Sequence, residues 1–315
     1  MSSPLVSIIL PTYNGSRYIR TSIDSCLGQT YQHFELIVVD DCSSDNTASI
    51  VKEYTEKDSR VKYIKNETNK KLPLSLNTGF AAAQGELFTW TSDDNYYTPN
   101  AIEVMVQALQ QHPQTGLVYT NYKTIDDDGN ITGEKIFGDV NESMVTWLGA
   151  GACFLYQAQL HTELNGYDAS AFLIEDYDFF IRALTKTRFH YINRTDLYYY
   201  RLHGGSLTSL YGFYNFDLQK IVIERQLGKL IPIASQRDKA LWYRKFAIYY
   251  GVSKNNSARM NHYLQLLFSV SKSQTFITSF YIIFLKVVTG IRISFVAFVK
   301  LLALCAGRRK REGSY

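Results

Sequence analysis

Four short runs in this chain of 315 residues combine side chains able to hold a polar ligand. The first, Asp40-Asp41-Cys42-Ser43-Ser44-Asp45-Asn46-Thr47, follows the apolar pair Val38-Val39. Carboxylates at the end of a strand can accept from the N–H edge of a pyrimidine or from ribose hydroxyls. Helix capping explains Ser43 to Asn46 equally well, but explains Asp40 and Asp41 less well. The second run is Thr91-Ser92-Asp93-Asp94-Asn95, directly after Trp90. Adjacent carboxylates with no basic neighbour repel each other, which raises their pKa values or recruits a cation. Magnesium and manganese are usually held by one or two carboxylates together with substrate phosphates; a solvated turn is the other reading of the same residues. The third run, Glu175-Asp176-Tyr177-Asp178, opens a helical pattern, where acids also complement the helix dipole. In the fourth, His203 stands beside Gly204-Gly205, as a structural histidine or as one that reaches a phosphate-bound metal.

The elements that must position these runs alternate along the first 120 residues. Val6–Leu10, Leu36–Asp40, Val61–Ile64, Leu87–Thr91 and Leu117–Tyr122 read as apolar strands. Helical spacing lies between them, including Ala101–Leu109, which Thr98 is expected to cap with Pro99 at the first helical position. This pattern predicts an α/β fold with a mostly parallel sheet covered on both faces. Ligands of such a sheet bind beyond the carboxyl ends of its strands, which directs attention to Pro11–Gly15, Asp40–Asp45 and Thr91–Asn95. Further on, Asp127-Asp128-Gly129-Asn130 marks a hairpin turn, Glu175–Leu184 a helix and Tyr198–His203 a strand; beyond Tyr211 the pattern is helical.

In order and spacing, four sets of residues closely resemble the family 2 glycosyltransferases of GT-A fold. They are Val6 to Asn14, Asp40 to Thr47, Asn77-Thr78-Gly79 with Ala83-Gln84-Gly85-Glu86, and Ser92-Asp93-Asp94 with Glu175-Asp176. The resemblance covers roughly residues 5–210. It implies a Rossmann-like, mostly parallel sheet flanked by helices, and an inverting transfer of sugar from a nucleotide diphosphate, most often UDP. The acceptor would be a saccharide or lipid-linked saccharide of a cell-surface polysaccharide or glycan. Pro11, Thr12, Tyr13, Asn14, Asp41, Asn77 and Asp93 would bind the nucleotide, with Tyr13 stacking on the base. Asp93 and Asp94 would hold Mn2+ or Mg2+, completed by His203, and Asp176 would be the catalytic base. Glu175 and Trp147 are candidates for the acceptor side, with Gly149–Gly151, Tyr156 and Tyr167 nearby in sequence. Two departures stand out. Thr91 replaces the first carboxylate of the Asp-x-Asp-Asp found in many relatives, and Leu76 replaces an arginine that often precedes the Asn-x-Gly.

The expected partition is a catalytic domain over 1–210, with nucleotide binding in 1–120 and the acceptor side in 121–210. A helical extension over 211–272 and an apolar, basic tail over 273–315 would follow. From Lys286 onward there are seven basic residues and one acid, a charge of +6 in a chain of +4, so the rest carries −2. That asymmetry argues against nucleic acid and for peripheral contact of the tail with an anionic membrane. The longest uncharged run there, Ser273–Leu285, is 13 residues, short of the roughly 18–20 of a membrane span. Four well-separated cysteines without a CxxC pair, and no evident signal peptide, predict a cytoplasmic protein at the inner face of the membrane. The competing readings are a catalytically silent nucleotide-sugar-binding or assembly protein and a receiver-type signalling module. The receiver is disfavoured because its acidic pair should end the first strand, whereas Asp40-Asp41 ends the second. A dinucleotide-binding oxidoreductase lacks its G-x-G-x-x-G after the first strand.

Overall fold

The computed structural model describes residues 3–147, 149, 152–207, 209 and 215–288. The expected tail beyond 288, and Gly151 of the run proposed for the acceptor side, lie outside the described residues. The chain divides into two compact units after Leu230, and Ser143–Val145 belongs with the later one. The division therefore falls twenty residues after the expected 210/211 boundary, because helix α7 (Asn215–Leu230) belongs with the first unit.

In the first unit, β1 (Val6–Thr12) and β2 (Phe34–Asp40) are buried at every residue. Their centres, Ile8–Leu10 and Leu36–Val39, are continuous apolar runs because helices cover both faces of their sheet. The order continues α1 (Ile19–Leu27), α2 (Thr47–Lys57), β3 (Val61–Lys65), α3 (Lys71–Ala82), β4 (Leu87–Trp90), β5 (Tyr96–Tyr97) and α4 (Ala101–Gln111). Then come β6 (Thr115–Thr120), β7 (Tyr122–Ile125), β8 (Ile131–Lys135), β9 (Phe154–Gln157), α5 (Ala158–Glu163), α6 (Glu175–Leu184), β10 (Arg188–Ile192) and β11 (Tyr198–Arg201). Seven strands form one sheet in the order β10-β6-β9-β4-β1-β2-β3, parallel throughout except where β9 runs antiparallel between β6 and β4. A second sheet has the order β5-β11-β7-β8. The expected strand Leu117–Tyr122 is thus two strands, since the chain leaves the large sheet at Asn121 and enters the small one.

Register places the site. Thr12 pairs with Asp40 and Ile9 with Trp90, so β1, β2 and β4 all end at one edge of the sheet. The three runs that follow them share that edge, where the N–H of Asp41 donates to Thr12 O and that of Thr91 to Ile9 O.

The second unit contains α8 (Gln236–Ile248), a π-type turn over Tyr249–Ser253, α9 (Ser257–Val270) and α10 (Lys272–Val288). Its core is aromatic, with Phe246 and Tyr263 stacked at 4.9 Å, and the buried Asp238 accepts from Ser143 Oγ at 2.7 Å. No described helix is long and apolar enough to cross a membrane.

One expected cap is replaced. α4 begins after Asn100, and the side chain that ties down its start is the buried Gln29 rather than Thr98. Gln29 Oε1 accepts from Ile102 N at 3.0 Å while Nε2 donates to Thr98 O at 2.8 Å. Gln29→Ala strands both groups and is expected to cost about 1–3 kcal/mol, read as a lower melting temperature. Thr98→Ala is expected to cost under about 0.5 kcal/mol. Equal losses would contradict this assignment of the cap.

Candidate active site

A cleft of about 1030 Å³ opens in the first unit at the carboxyl edge of the sheet. Pro11, Thr12, Tyr13, Asn14, Asp41, Asp93, Asp94, Glu175, Asp176 and His203 all line it. Two residues singled out from sequence do not. Asn77 is turned to the segment before α6, where its Nδ2 donates to Tyr167 O at 2.8 Å and its Oδ1 accepts from Tyr167 N at 2.9 Å. Trp147 is fully buried among Tyr119, Phe180 and Phe189. Tyr156 and Tyr167 are likewise core residues.

One wall comes from the ends of β1 and β2. Tyr13 is 54% exposed, a free aromatic face at the rim. Asn14 adopts a left-handed φ of 55°, and its Oδ1 accepts from Ser44 N at 2.8 Å, tying the first loop to the second. Asp41 is buried and accepts three N–H bonds: from Asn66 Nδ2 and Lys70 N on Oδ1, and from Lys71 N on Oδ2, each at 2.8 Å. These donors fix the carboxylate and leave Oδ2 a further lone pair. Asp40, by contrast, is used up structurally by Ser43 N and the Tyr63 hydroxyl.

The floor is the acidic turn after β4. Asp93 Oδ2 accepts from Thr12 Oγ1 at 2.5 Å, and Asp94 Oδ2 contacts His203 Nε2 at 2.9 Å. Burial, together with the adjacent Asp94 charge, pushes the Asp93 carboxyl up to about 7. Burial also raises that of Asp94, partly offset by its contact with His203. Asp94 Oδ1 is buried with no hydrogen-bond partner among the described residues. Gly15 lets the first loop approach this closely, since a Cβ there would collide with Asp93 Oδ2 and Thr12 Oγ1.

Arg201 holds the turn in place, a role the sequence did not disclose. Its Nε donates to Asp94 O at 3.0 Å and its Nη1 to Asp126 O and Asp127 O at 2.8 and 2.9 Å. The guanidinium lies 4.6 Å over the Tyr18 ring. The only hint in sequence is a cation two residues before His203 at a strand end.

The opposite wall is the start of α6. Leu173 precedes it with φ 79°, a left-handed backbone that is strained for a branched side chain. Asp178 and Arg182 pair at 2.7 Å, and Arg182 also donates to Leu164 O and Gly166 O, which anchors the loop leading to the helix. Asp176 Oδ1 accepts from Tyr177 N at 2.6 Å. Glu175 Oε2 is buried and has no partner among the described residues. Burial pushes Asp176 up to about 6; burial and the Asp176 charge push Glu175 up to about 8. The two carboxyls titrate as a coupled pair, which keeps a proton to higher pH than two free acids would.

Acids gathered at the carboxyl edge of a mostly parallel sheet lie where an α/β fold binds its ligands. The model of glycosyl transferase family 2 matches residues 7–179, over half of the chain, and the chain belongs to that family. It is 34% identical over 187 residues to the Bacillus subtilis protein named putative glycosyltransferase EpsE, a match covering 58% of this chain and 67% of that protein. An uncharacterized glycosyltransferase of Rickettsia felis is 33% identical over 200 residues, covering 60% of this chain but only 33% of its own length. The chondroitin synthase of Escherichia coli is 27% identical over 219 residues, 69% of this chain and 31% of that protein. Among solved structures, S. aureus TarS 1–349 in complex with UDP-GlcNAc superposes with a TM-score of 0.62 at 20% identity. That match covers 85% of this chain and 82% of TarS 1–349, and it is a likeness of fold.

A raised carboxyl pKa means that folding is favoured at low pH and loses stability as pH rises through the folded value. Glu175→Gln removes that penalty. Its melting temperature is expected to exceed wild type by roughly 3–8 °C at pH 8.5, with the gain shrinking as pH falls and gone below about pH 4, where the unfolded carboxyl is protonated too. A variant less stable than wild type at both pH values would contradict the buried, proton-retaining Glu175.

Proposed function

We propose that the chain is an inverting glycosyltransferase that moves a sugar from a nucleotide diphosphate, UDP above all, to a saccharide or lipid-linked saccharide acceptor. The observation that carries this reading is that two carboxylate pairs, each with a buried oxygen unpartnered among the described residues, face one cleft beside an exposed aromatic ring. The name of one relative, a chondroitin synthase, and the UDP-GlcNAc in the TarS complex support the class of donor and product.

The base would stack on Tyr13, and its N–H edge would donate to Asp41 Oδ2, already oriented by Lys71 N. The diphosphate would then lie over Asp93 and Asp94. The donor set there suits a hard divalent ion: carboxylate oxygens, one of them unpartnered, with His203 adjoining. No group of three or more His, Cys, Asp or Glu among the described residues is assembled to hold an ion unaided, so the remaining ligands would be substrate phosphates. When bound, Mn2+ or Mg2+ would neutralise charge on the leaving diphosphate. Thr12, bonded to Asp93, and Arg201, bonded to the Asp94 carbonyl, hold the two acids in position before substrate arrives.

Asp176 is the proposed general base. As an acceptor hydroxyl attacks the anomeric carbon, the new C–O bond forms, the bond to the diphosphate oxygen breaks, and the hydroxyl proton passes to Asp176. Attack opposite the leaving group inverts the anomeric centre. General base catalysis supplies roughly 10²–10⁴-fold, and in-line orientation of the two sugars supplies more. Glu175, when it holds the proton of the pair, would donate to an acceptor oxygen and so help orient it. Well-separated cysteines and the basic C-terminal sequence support a site of action at the inner face of the cell membrane.

Asp176→Asn is expected to lower transfer by roughly 10²-fold or more while donor affinity, read calorimetrically, stays within a few-fold. Wild-type turnover should rise as pH climbs through about 6, where the base ionises. Near-normal turnover in the variant would reject Asp176 as base. Nucleotide binding without release from any donor and acceptor would favour the silent binding protein. Exhaustive chelation should abolish transfer and weaken donor binding; full activity afterwards would show that Asp93 and Asp94 serve another purpose.

A further inference from the structure

Helix α10 is inside out. Through Lys286 its buried side chains are Thr275, Thr278, Ser279, Ile282 and Lys286, of which only Ile282 is apolar. Its exposed side chains include Phe276, Ile277, Phe280, Tyr281 and Phe284, which are 55, 50, 68, 44 and 58% exposed. At 3.6 residues per turn the outward five fall within an arc of about 140° and the inward five within about 100° on the opposite side. A helix packed on a protein and facing water shows the reverse. The inward polar groups are provided for: Thr275 Oγ1 donates to Ser271 O, Thr278 Oγ1 to Gln274 O, and Lys286 Nζ to Asn255 Oδ1. Single exposed apolar residues are ordinary, but five in one continuous row are the mark of a surface that meets something apolar.

We propose that this face of α10 docks on an anionic lipid surface, with the helix lying along the membrane. Seventeen residues make a helix about 25 Å long, shorter than the ~30 Å hydrocarbon layer, which suits a helix lying in the interface rather than crossing it. Charge identifies the occupant. From Arg292 to the end the sequence carries six basic residues and one acid, complementary to anionic headgroups and following the aromatic row along the chain. A second copy of the chain fits less well, because one helix face of about 25 by 10 Å offers roughly 250 Å² where a stable interface buries about 800 Å² per partner. The docking gives the proposed membrane location a surface and is independent of the transfer chemistry.

The test is co-sedimentation of the full chain with vesicles of phosphatidylcholine alone and with phosphatidylglycerol added. Wild type is expected on the anionic vesicles, and the triple variant Phe276→Ser, Phe280→Ser, Phe284→Ser is expected to bind them roughly tenfold less or weaker. Its melting temperature and monomeric mass should be unchanged, since nothing buried is removed. A second variant, Phe280→Trp, reports the face directly, because Trp90, Trp147 and Trp242 are all buried. Its emission should shift to the blue on anionic vesicles and not on neutral ones. Undiminished binding by the triple variant, an unmoved emission, or a wild-type dimer that the triple variant dissociates would each overturn the proposal. Transfer to a soluble acceptor should be the same in wild type and triple variant, so failure of the docking is read separately from failure of the active-site reading.

Discussion

Two pairs of adjacent carboxylates, Asp93-Asp94 and Glu175-Asp176, are buried in one cleft of the first unit, where their charges oppose one another. Left to itself this arrangement repels and desolvates, and either effect is enough to open a loop. It persists because each acidic segment is held through its backbone. Arg201 fastens the Asp94 carbonyl, and Arg182 fastens the loop before α6 at Leu164 and Gly166. The carboxyl oxygens are thus kept apart from the bonds that hold the chain, and two of them remain without partners among the described residues. An apolar cleft of the same shape would be more stable, and it would have nothing to offer a diphosphate or a hydroxyl proton.

The fold supplies the convergence. Parallel strands that end in register bring the Tyr13, Asp41 and Asp93 segments to one edge, although 80 residues separate the first from the last. The small sheet then delivers His203 from β11, and Asn95 Oδ1 accepts from Arg201 N at 2.7 Å to lock that strand against the acidic turn. Asn77, off the cleft, holds both backbone groups of Tyr167 and so steadies the approach to α6. Residues off the cleft lining, Asn77, Asn95 and Arg201, therefore act on the geometry of the same few oxygens.

Much of this was legible in sequence wherever the signal was local. β1 and β2 announce themselves as β-branched runs, and the helix Glu175–Leu184 was read to the residue because its acids and its apolar spacing coincide. The acidic motifs were legible because capping alone explains paired carboxylates at strand ends poorly, although Asp40 serves structure through Ser43 N and the Tyr63 hydroxyl. What escaped depends on distant partners. Gln29 caps a helix more than 70 residues away, and Arg201 binds carbonyls at positions 94, 126 and 127. A buried arginine and an exposed one look alike in a sequence. Trp147 misled for a related reason: an aromatic among small residues fits a sugar platform or a core, and Tyr119, Phe180 and Phe189 close around it as core. Strand β9, inserted antiparallel between β4 and β6, follows from pairing alone and leaves no local trace. In α10 the apolar residues were visible, but which side they faced was not.

The convergence of the two acidic pairs on one bound nucleotide is the claim on which the rest stands. Carboxyl-carbon NMR of the full chain with UDP and paramagnetic Mn2+ measures it directly, since broadening falls steeply with distance from the ion. Signals of Asp93, Asp94, Glu175 and Asp176 should broaden together while those of Asp58 and Asp196, both outside the cleft lining, stay sharp. Broadening of Asp93 and Asp94 with sharp Glu175 and Asp176 signals, or no selective broadening at all, would contradict it.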